Sequence, residues 1–183
     1  MSFVLDGNNP TDLGVKLLKD LQEPGVPEVR KREVAIPGKA GTYSFGDEYG
    51  NRIFRLPLVT TNTSSQSDVQ DVIRAIADLL TTDQGELRED SLIFDKEPNK
   101  AYTVKLDSSY GVNRFPGGFG KFVLGLVATQ PFAEGTTETK TKNVTSSPEE
   151  IELTNEGSVE TPLKISLVNN GTEVSDFELT AKT

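Results

Sequence analysis

Carboxylates are the abundant side chains of this chain that could move protons, and three adjacent pairs stand out: Asp47-Glu48, Glu89-Asp90 and Glu149-Glu150. Two carboxylates flanking a glycosidic bond can act as acid and base on a polysaccharide. These pairs lie in turn-like stretches, and adjacent side chains on a strand point to opposite faces. They read as solvated turns, not as a glycosidase site. Asp6, Asn8 and Asp12 have the spacing of a calcium loop, but the sixth place counted from Asp6 is Thr11 where that loop needs Gly, and the twelfth is Leu17 where it needs Glu. Gly117-Gly118-Phe119-Gly120 is rich in glycine, yet it precedes a strand pattern. A phosphate cradle needs a helix N-terminus at that point. The segment reads as a flexible turn that lets a strand enter a sheet.

The chain has no Cys and no His. That excludes a disulfide framework, thiolate metal sites, Cys nucleophiles and His-based triads. The expectation is no catalytic residue, no cofactor and no metal.

Arg30-Lys31-Arg32 is a cationic run in a chain of formal charge −9. It fits a solvated strand end, a cross-subunit contact with acidic groups, or a phosphate contact. The acidity is concentrated late, since residues 134–183 hold 10 acidic and 4 basic side chains. Such a balance is poorly suited to gripping nucleic acid, where binding is driven by neutralising phosphates. It suits a surface past which DNA slides without sticking. Met-Ser-Phe-Val-Leu-Asp-Gly at the start has neither a positive n-region nor a long apolar stretch, so no signal peptide is expected. No apolar run approaches the roughly 20 residues that span a bilayer.

The elements that would position these groups are mostly strands. Residues 3–5 form a short one, ended by the turn formers Asp6 to Pro10. Leu13, Val15 and Leu17 alternate and predict a second strand to about Leu21. Residues 28–36 begin charged and end apolar. Pro37-Gly38 is a turn, prolonged by Lys39-Ala40-Gly41. Tyr43, Phe45 and Tyr49 flank a second predicted turn at Gly46-Asp47. Ile53 to Thr60 reads as a strand with Phe54, Leu56 and Leu58 on one face; Pro57 predicts an edge position or a bulge. A helix is predicted from Ser67 to Leu80, with Ser67 and Gln70 as a capping box and Val69, Val72, Ile73, Ile76, Leu79 and Leu80 as its apolar stripe. Short strands follow at Leu92–Phe94 and around Tyr102, Val104 and Leu106, and then a loop from Ser108 to Gly118. Phe119 to Thr129 has apolar residues on both faces, which predicts a central strand covered on both sides.

After Glu134 the composition shifts to a Thr/Glu/Lys-rich linker. Short strands are predicted at 143–145, 151–154, 163–168 and 177–180, with a hairpin signal at Asn169-Asn170-Gly171. This piece has one aromatic residue, Phe177, and can bury little by itself. The fold class expected is mainly β (α+β). An N-terminal β-sandwich or barrel-like sheet with one packed helix spans residues 1–133, and a small or partial β-rich domain spans 134–183.

The order of these elements over residues 1–133 resembles the N-terminal domain of the distal tail proteins of long-tailed, non-contractile bacteriophages. The Pro37-Gly38-Lys39-Ala40-Gly41 turn is similar to the family's Pro-Gly-basic-x-Gly pattern before a long β-arm. The single helix, Phe94-Asp95-Lys96-Glu97-Pro98 followed by Tyr102, and the closing Pro131-Phe132 are similar as well. Gln130 stands where the family often carries an acidic residue. Asn155-Glu156-Gly157 and Thr161-Pro162-Leu163-Lys164-Ile165 resemble the opening of the family's C-terminal β-sandwich.

The resemblance implies a structural protein of the virion tail tip, made in the bacterial host cytoplasm. It would form a homo-oligomeric, hexameric ring around a channel for DNA. One face would meet the tail-tube protein and the other the tail-tip or baseplate proteins, with no membrane partner and no specific nucleic-acid binding. The interface residues expected are Arg30, Lys31, Arg32, Pro37, Gly38, Lys39, Gly41, Tyr43, Phe45 and Tyr49. A glycine-punctuated arm is hard to bury within its own subunit and would pair with a neighbour. The rival readings are a carbohydrate-binding β-sandwich module and the tube protein of another phage-tail-like apparatus.

Overall fold

Period-two alternation of apolar residues is the main organiser of this chain, and a computed structural model describes the result for residues 2–21, 23–145 and 149–171. The elements run β1 (Phe3–Leu5), β2 (Val15–Leu17), β3 (Val29–Ala35), β4 (Thr42–Tyr49), β5 (Arg52–Thr60), α1 (Gln66–Leu80), β6 (Asp90–Phe94), β7 (Ala101–Leu106), β8 (Asn113–Phe115) and β9 (Phe119–Ala128). The chain divides into two units, Met1–Thr137 and Glu138–Thr183.

In the first unit one antiparallel sheet runs β1-β6-β7-β9-β5-β2, with β8 added beside β9. It curls into a half-barrel, as the barrel-like expectation had it. The inner face carries Phe54, Leu56 and Leu58 of β5 against Phe122, Leu124 and Leu126 of β9, all buried. Each such side chain contributes about 1.5–3 kcal/mol by leaving water. The α1 stripe closes this face, with Val69, Ile76 and Leu80 buried and Val72 and Leu79 packed against the core.

The helix is capped two residues earlier than the spacing predicted. Its N-cap is Ser65, not Ser67, and the reciprocal partner is Asp68, not Gln70. The Ser65 hydroxyl accepts from the Asp68 amide while the Asp68 carboxylate accepts from the Ser65 amide at 3.0 Å and the Ser64 amide at 2.8 Å. Asp68 thus fills the reciprocal role that a glutamate or glutamine takes in the usual capping box.

β5 is internal, flanked by β9 and β2, so Pro57 does not mark an edge strand. Its missing N–H faces the β2 side just past the end of β2, where its carbonyl accepts from Leu18 N at 2.8 Å. β9 is central as expected, but it is covered on one face alone: Val123 on the outer face is 46% exposed. The second strand is confined to Val15–Leu17, and β8 forms inside the stretch read as a loop. Gly46-Asp47 is not a turn. Phe45 and Gly46 together oppose Arg32, which makes a bulge in β4, and Gly46 takes φ +99° there.

In the second unit the strands expected at 143–145, 151–154 and 163–168 are not formed. Two lysines replace a ladder: Lys140 Nζ and Lys142 Nζ each donate to a backbone carbonyl at 2.9 Å, of Glu152 and Glu150. With few large side chains to bury, the segment gains too little to fix backbone pairing. Asn169 Oδ1 accepts from Gly171 N at 2.9 Å, the local turn chemistry of that triplet. The strand expected at 177–180 lies outside the described residues.

Candidate assembly interface

β3 and β4 pair with each other alone and form a hairpin arm apart from the main sheet. Every residue of both strands is exposed. The tip is a turn in which Lys39 N donates to Ile36 O at 3.1 Å, with Pro37 first and Gly38 second at φ +84°. Those residues suit a type II turn, where Pro presets the first φ and Gly alone takes the second without strain. Lys39 Nζ sits 3.3 Å from the Tyr43 ring centroid, stacking the tip cation on an aromatic face. The root is held by Gly50 N donating to Glu28 O at 2.7 Å and Glu28 N donating to Asn51 O at 3.1 Å.

The register sorts the arm into two faces. Arg30 opposes Glu48 and Val34 opposes Tyr43, and Arg32 lies between them. Arg32 pairs with Glu48 at 2.6 Å on that same face, which Phe45 shares by alternation. This face is aromatic and aliphatic with a charged end, and Phe45 on it is 70% exposed. The opposite face holds Lys31 across from Asp47, and Glu33, whose carboxylate accepts from the Thr42 hydroxyl at 2.9 Å.

The residues expected at an interface therefore gather on one arm but not on one face. Arg30, Arg32, Tyr43 and Phe45 share the apolar face. Lys31 and Tyr49 lie on the other, and Pro37, Gly38, Lys39 and Gly41 form the tip. Val34 and Ile36 belong with the apolar face and are exposed too; their place in the alternation was the signal for them. Of the cationic run, Arg32 is ion-paired within the hairpin, and Arg30 and Lys31 lie across from Glu48 and Asp47. Such exposed pairs are each worth about 0–1 kcal/mol.

The candidate chemical groups do other work. Glu89 pairs with Lys105 at 2.8 Å, on the far side of its strand from Asp90. Asp90 is buried beside Arg88, whose Nε lies 3.1 Å from Oδ1, and Arg88 also pairs with Asp6. Burial pushes the Asp90 carboxyl above its ordinary range, Arg88 draws it down, and Asp6 raises it further. The two acids share one guanidinium instead of facing a substrate cleft. Among the residues with calcium-loop spacing, Asp12 Oδ2 accepts from Asn9 N at 3.2 Å and Asn8 Nδ2 donates to Asp6 O at 3.0 Å, so chain groups engage them. Gly118 is no mere flexible turn: it takes φ +78°, and a Cβ on it would lie 2.5 Å from Ser65 N.

The family model for the phage tail protein RIFT-related domain matches residues 8–128. Among solved structures, the fold is similar to the crystal structure of SPP1 Dit (gp 19.1), described there as a paradigm of the hub adsorption apparatus of phages that infect Gram-positive bacteria. The TM-score is 0.61 at 18% identity, covering 74% of this chain and 52% of that one. The chain thus spans about half the length of that protein. No curated protein matches the sequence.

Proposed function

The chain belongs to the phage tail protein RIFT-related domain family, and from that premise we propose that it is the ring-forming hub at the distal end of a siphophage tail. The family and fold bear out the likeness to distal tail proteins read from the sequence. The ring, the position and the partners are the proposal.

The observation that carries it is the arm. Two strands with both outer edges unpaired, and with Phe45 70% exposed, lie outside the half-barrel of their own subunit. Exposed edges and an apolar face of this kind pair readily with another chain. When the donating patch differs from the receiving patch, the contact is head-to-tail, and it makes a ring where the rotation between copies closes. Each copy would lay its arm on the next, six around a channel wide enough for DNA. One face of the ring would meet the tail-tube protein and the other the tail-tip or baseplate proteins. The protein would be made in the host cytoplasm and end in the virion, with a structural role and no catalytic one.

Light scattering and negative-stain microscopy of the full chain test this. The expected result is an annular particle with the mass of six copies of the 19.9 kDa chain, without added ligand. A strict monomer at high concentration would overturn the reading.

A further inference from the structure

The main sheet has a gap beside its central strand. On the side of β9 away from β5, β8 pairs with Phe119 to Lys121, and β7 pairs with Leu126 and Val127. Between them Asp107 N donates to Gly125 O at 2.9 Å. Val123 has no strand partner on this side. It lies opposite Pro57, whose backbone faces β2 through the Leu18 bond. In an antiparallel pair, opposed residues whose groups turn away from each other form the non-bonded type. The Val123 N–H and C=O therefore point into the gap, and neither has a hydrogen-bond partner among the described residues.

The loop after β7 borders an open cleft of ≈ 510 Å³ beside Val123, lined by Tyr110, Phe115 and Phe122 and by two cations, Arg55 and Lys121. Neither cation has an ion pair among the described residues. In a chain of charge −9, two unanswered cations beside an unpaired strand segment specify what fits.

We propose that this cleft receives an extended segment of a different protein, with acidic residues on one face and apolar residues on the other. Its backbone bonds the Val123 N–H and C=O, as in strand addition. Its acids meet Arg55 and Lys121, and its apolar side chains lie against Tyr110 and Phe115. The arm of a second copy is not the occupant: over residues 28–49 its four cations and four acids balance, so it offers no net acidity to Arg55 and Lys121. The cleft is distinct from the arm, so its partner adds to the ring without depending on it.

The probe is a capped, fluorescent eight-residue peptide alternating glutamate with isoleucine, titrated into the full chain by anisotropy. The expected result is saturable binding that weakens on adding salt. A peptide with lysine for glutamate should bind at least about ten-fold more weakly. Arg55→Glu with Lys121→Glu should abolish binding of the acidic peptide and permit the lysine one, while far-UV circular dichroism stays unchanged. Val123→Thr, which keeps the backbone groups, should leave binding within about two-fold. Absence of saturable binding, equal binding of the two peptides, or indifference to the charge reversal would overturn the proposal. Loss of the protein's own assembly on charge reversal would also overturn it, by making a second copy the occupant.

Discussion

Tyr49 and Phe132 meet edge to face at the root of the arm, with ring centroids 5.4 Å apart and planes at 84°. Tyr49 ends β4 and Phe132 follows β9, so this contact ties the hairpin to the exit of the central strand. Aromatic pairs of this geometry are worth about 0.5–1.5 kcal/mol beyond the area they bury. A double-mutant cycle of Tyr49→Ala and Phe132→Ala should return a coupling of that size. Amide exchange should quicken in β3 and β4 and stay slow in β5 and β9. Equal acceleration in both places would mean that the arm is not a separable unit.

Much of this fold was legible because the strands alternate cleanly. Phe54, Leu56 and Leu58 were placed together on one face by spacing alone, and the α1 stripe was read the same way. What escaped was set by backbone geometry that side-chain types do not report. Gly46 looks like a turn residue in sequence, since a bulge and a turn both need positive φ. Val123 looks buried, since its neighbours are apolar; that one face of β9 stays open follows from the single helix having one face to cover. In the arm, the residues expected to make contacts were named from the resemblance, but their division into two faces depends on the one-residue shift that the bulge imposes.

The capping box makes a titration prediction. Its serine hydrogen bonds, with the Ser65 hydroxyl first and the Ser64 amide next, lower the Asp68 carboxyl from 3.8 to about 2. A carboxyl depressed by folding favours the folded state above its unfolded value, and that contribution fades as pH falls through the folded one. Thermal stability should therefore drop between about pH 4 and pH 2 as this group protonates. Carbon-detected NMR should give Asp68 a midpoint near 2, and Ser65→Ala should move it back toward the ordinary range. The same substitution removes the N-cap acceptor and should cost about 1 kcal/mol in urea unfolding.

Asp90 should behave in the opposite sense. Burial holds its carboxyl above the ordinary range despite Arg88. A group raised by folding favours the folded state below its unfolded value, and that contribution is lost as pH rises through the folded one. Asp90→Asn should thus gain stability relative to the parent as pH increases from about 4 to 7, seen as a diverging pair of urea midpoints. Parallel midpoints would show that the carboxyl is not strained by burial. Arg88→Met should destabilise at neutral pH, read as a lower urea midpoint, by leaving the buried Asp90 carboxylate without its ion partner.

Gly118 carries a steric demand that no other residue meets. A Cβ there would fall 2.5 Å from both Ser64 C and Ser65 N, backbone atoms of the helix N-cap. With φ at +78° the position is also in the left-handed region. Gly118→Ala should cost about 2–5 kcal/mol from overlap and backbone strain together. Gly117→Ala has the positive φ but nothing within 4 Å of its Cβ. It should cost only about 1–2 kcal/mol, and a larger loss there than at Gly118 would contradict the packing described.

The arm's apolar face separates folding from assembly. Phe45 makes little of the core, being 70% exposed, so its replacement should change subunit stability by no more than about 0.5 kcal/mol. If the face covers a neighbour, Phe45→Asp places a charge in a contact that must be dry, and the self-associated fraction should fall by at least about ten-fold at equal concentration. Sedimentation velocity reads that directly. Phe45→Leu keeps the face apolar and should retain most of the assembly. Glu33→Gln, on the opposite face, should leave assembly unchanged. Loss of assembly in Glu33→Gln but not in Phe45→Asp would assign the contact to the polar face of the hairpin, because the register puts these two side chains on opposite sides of the same pair of strands.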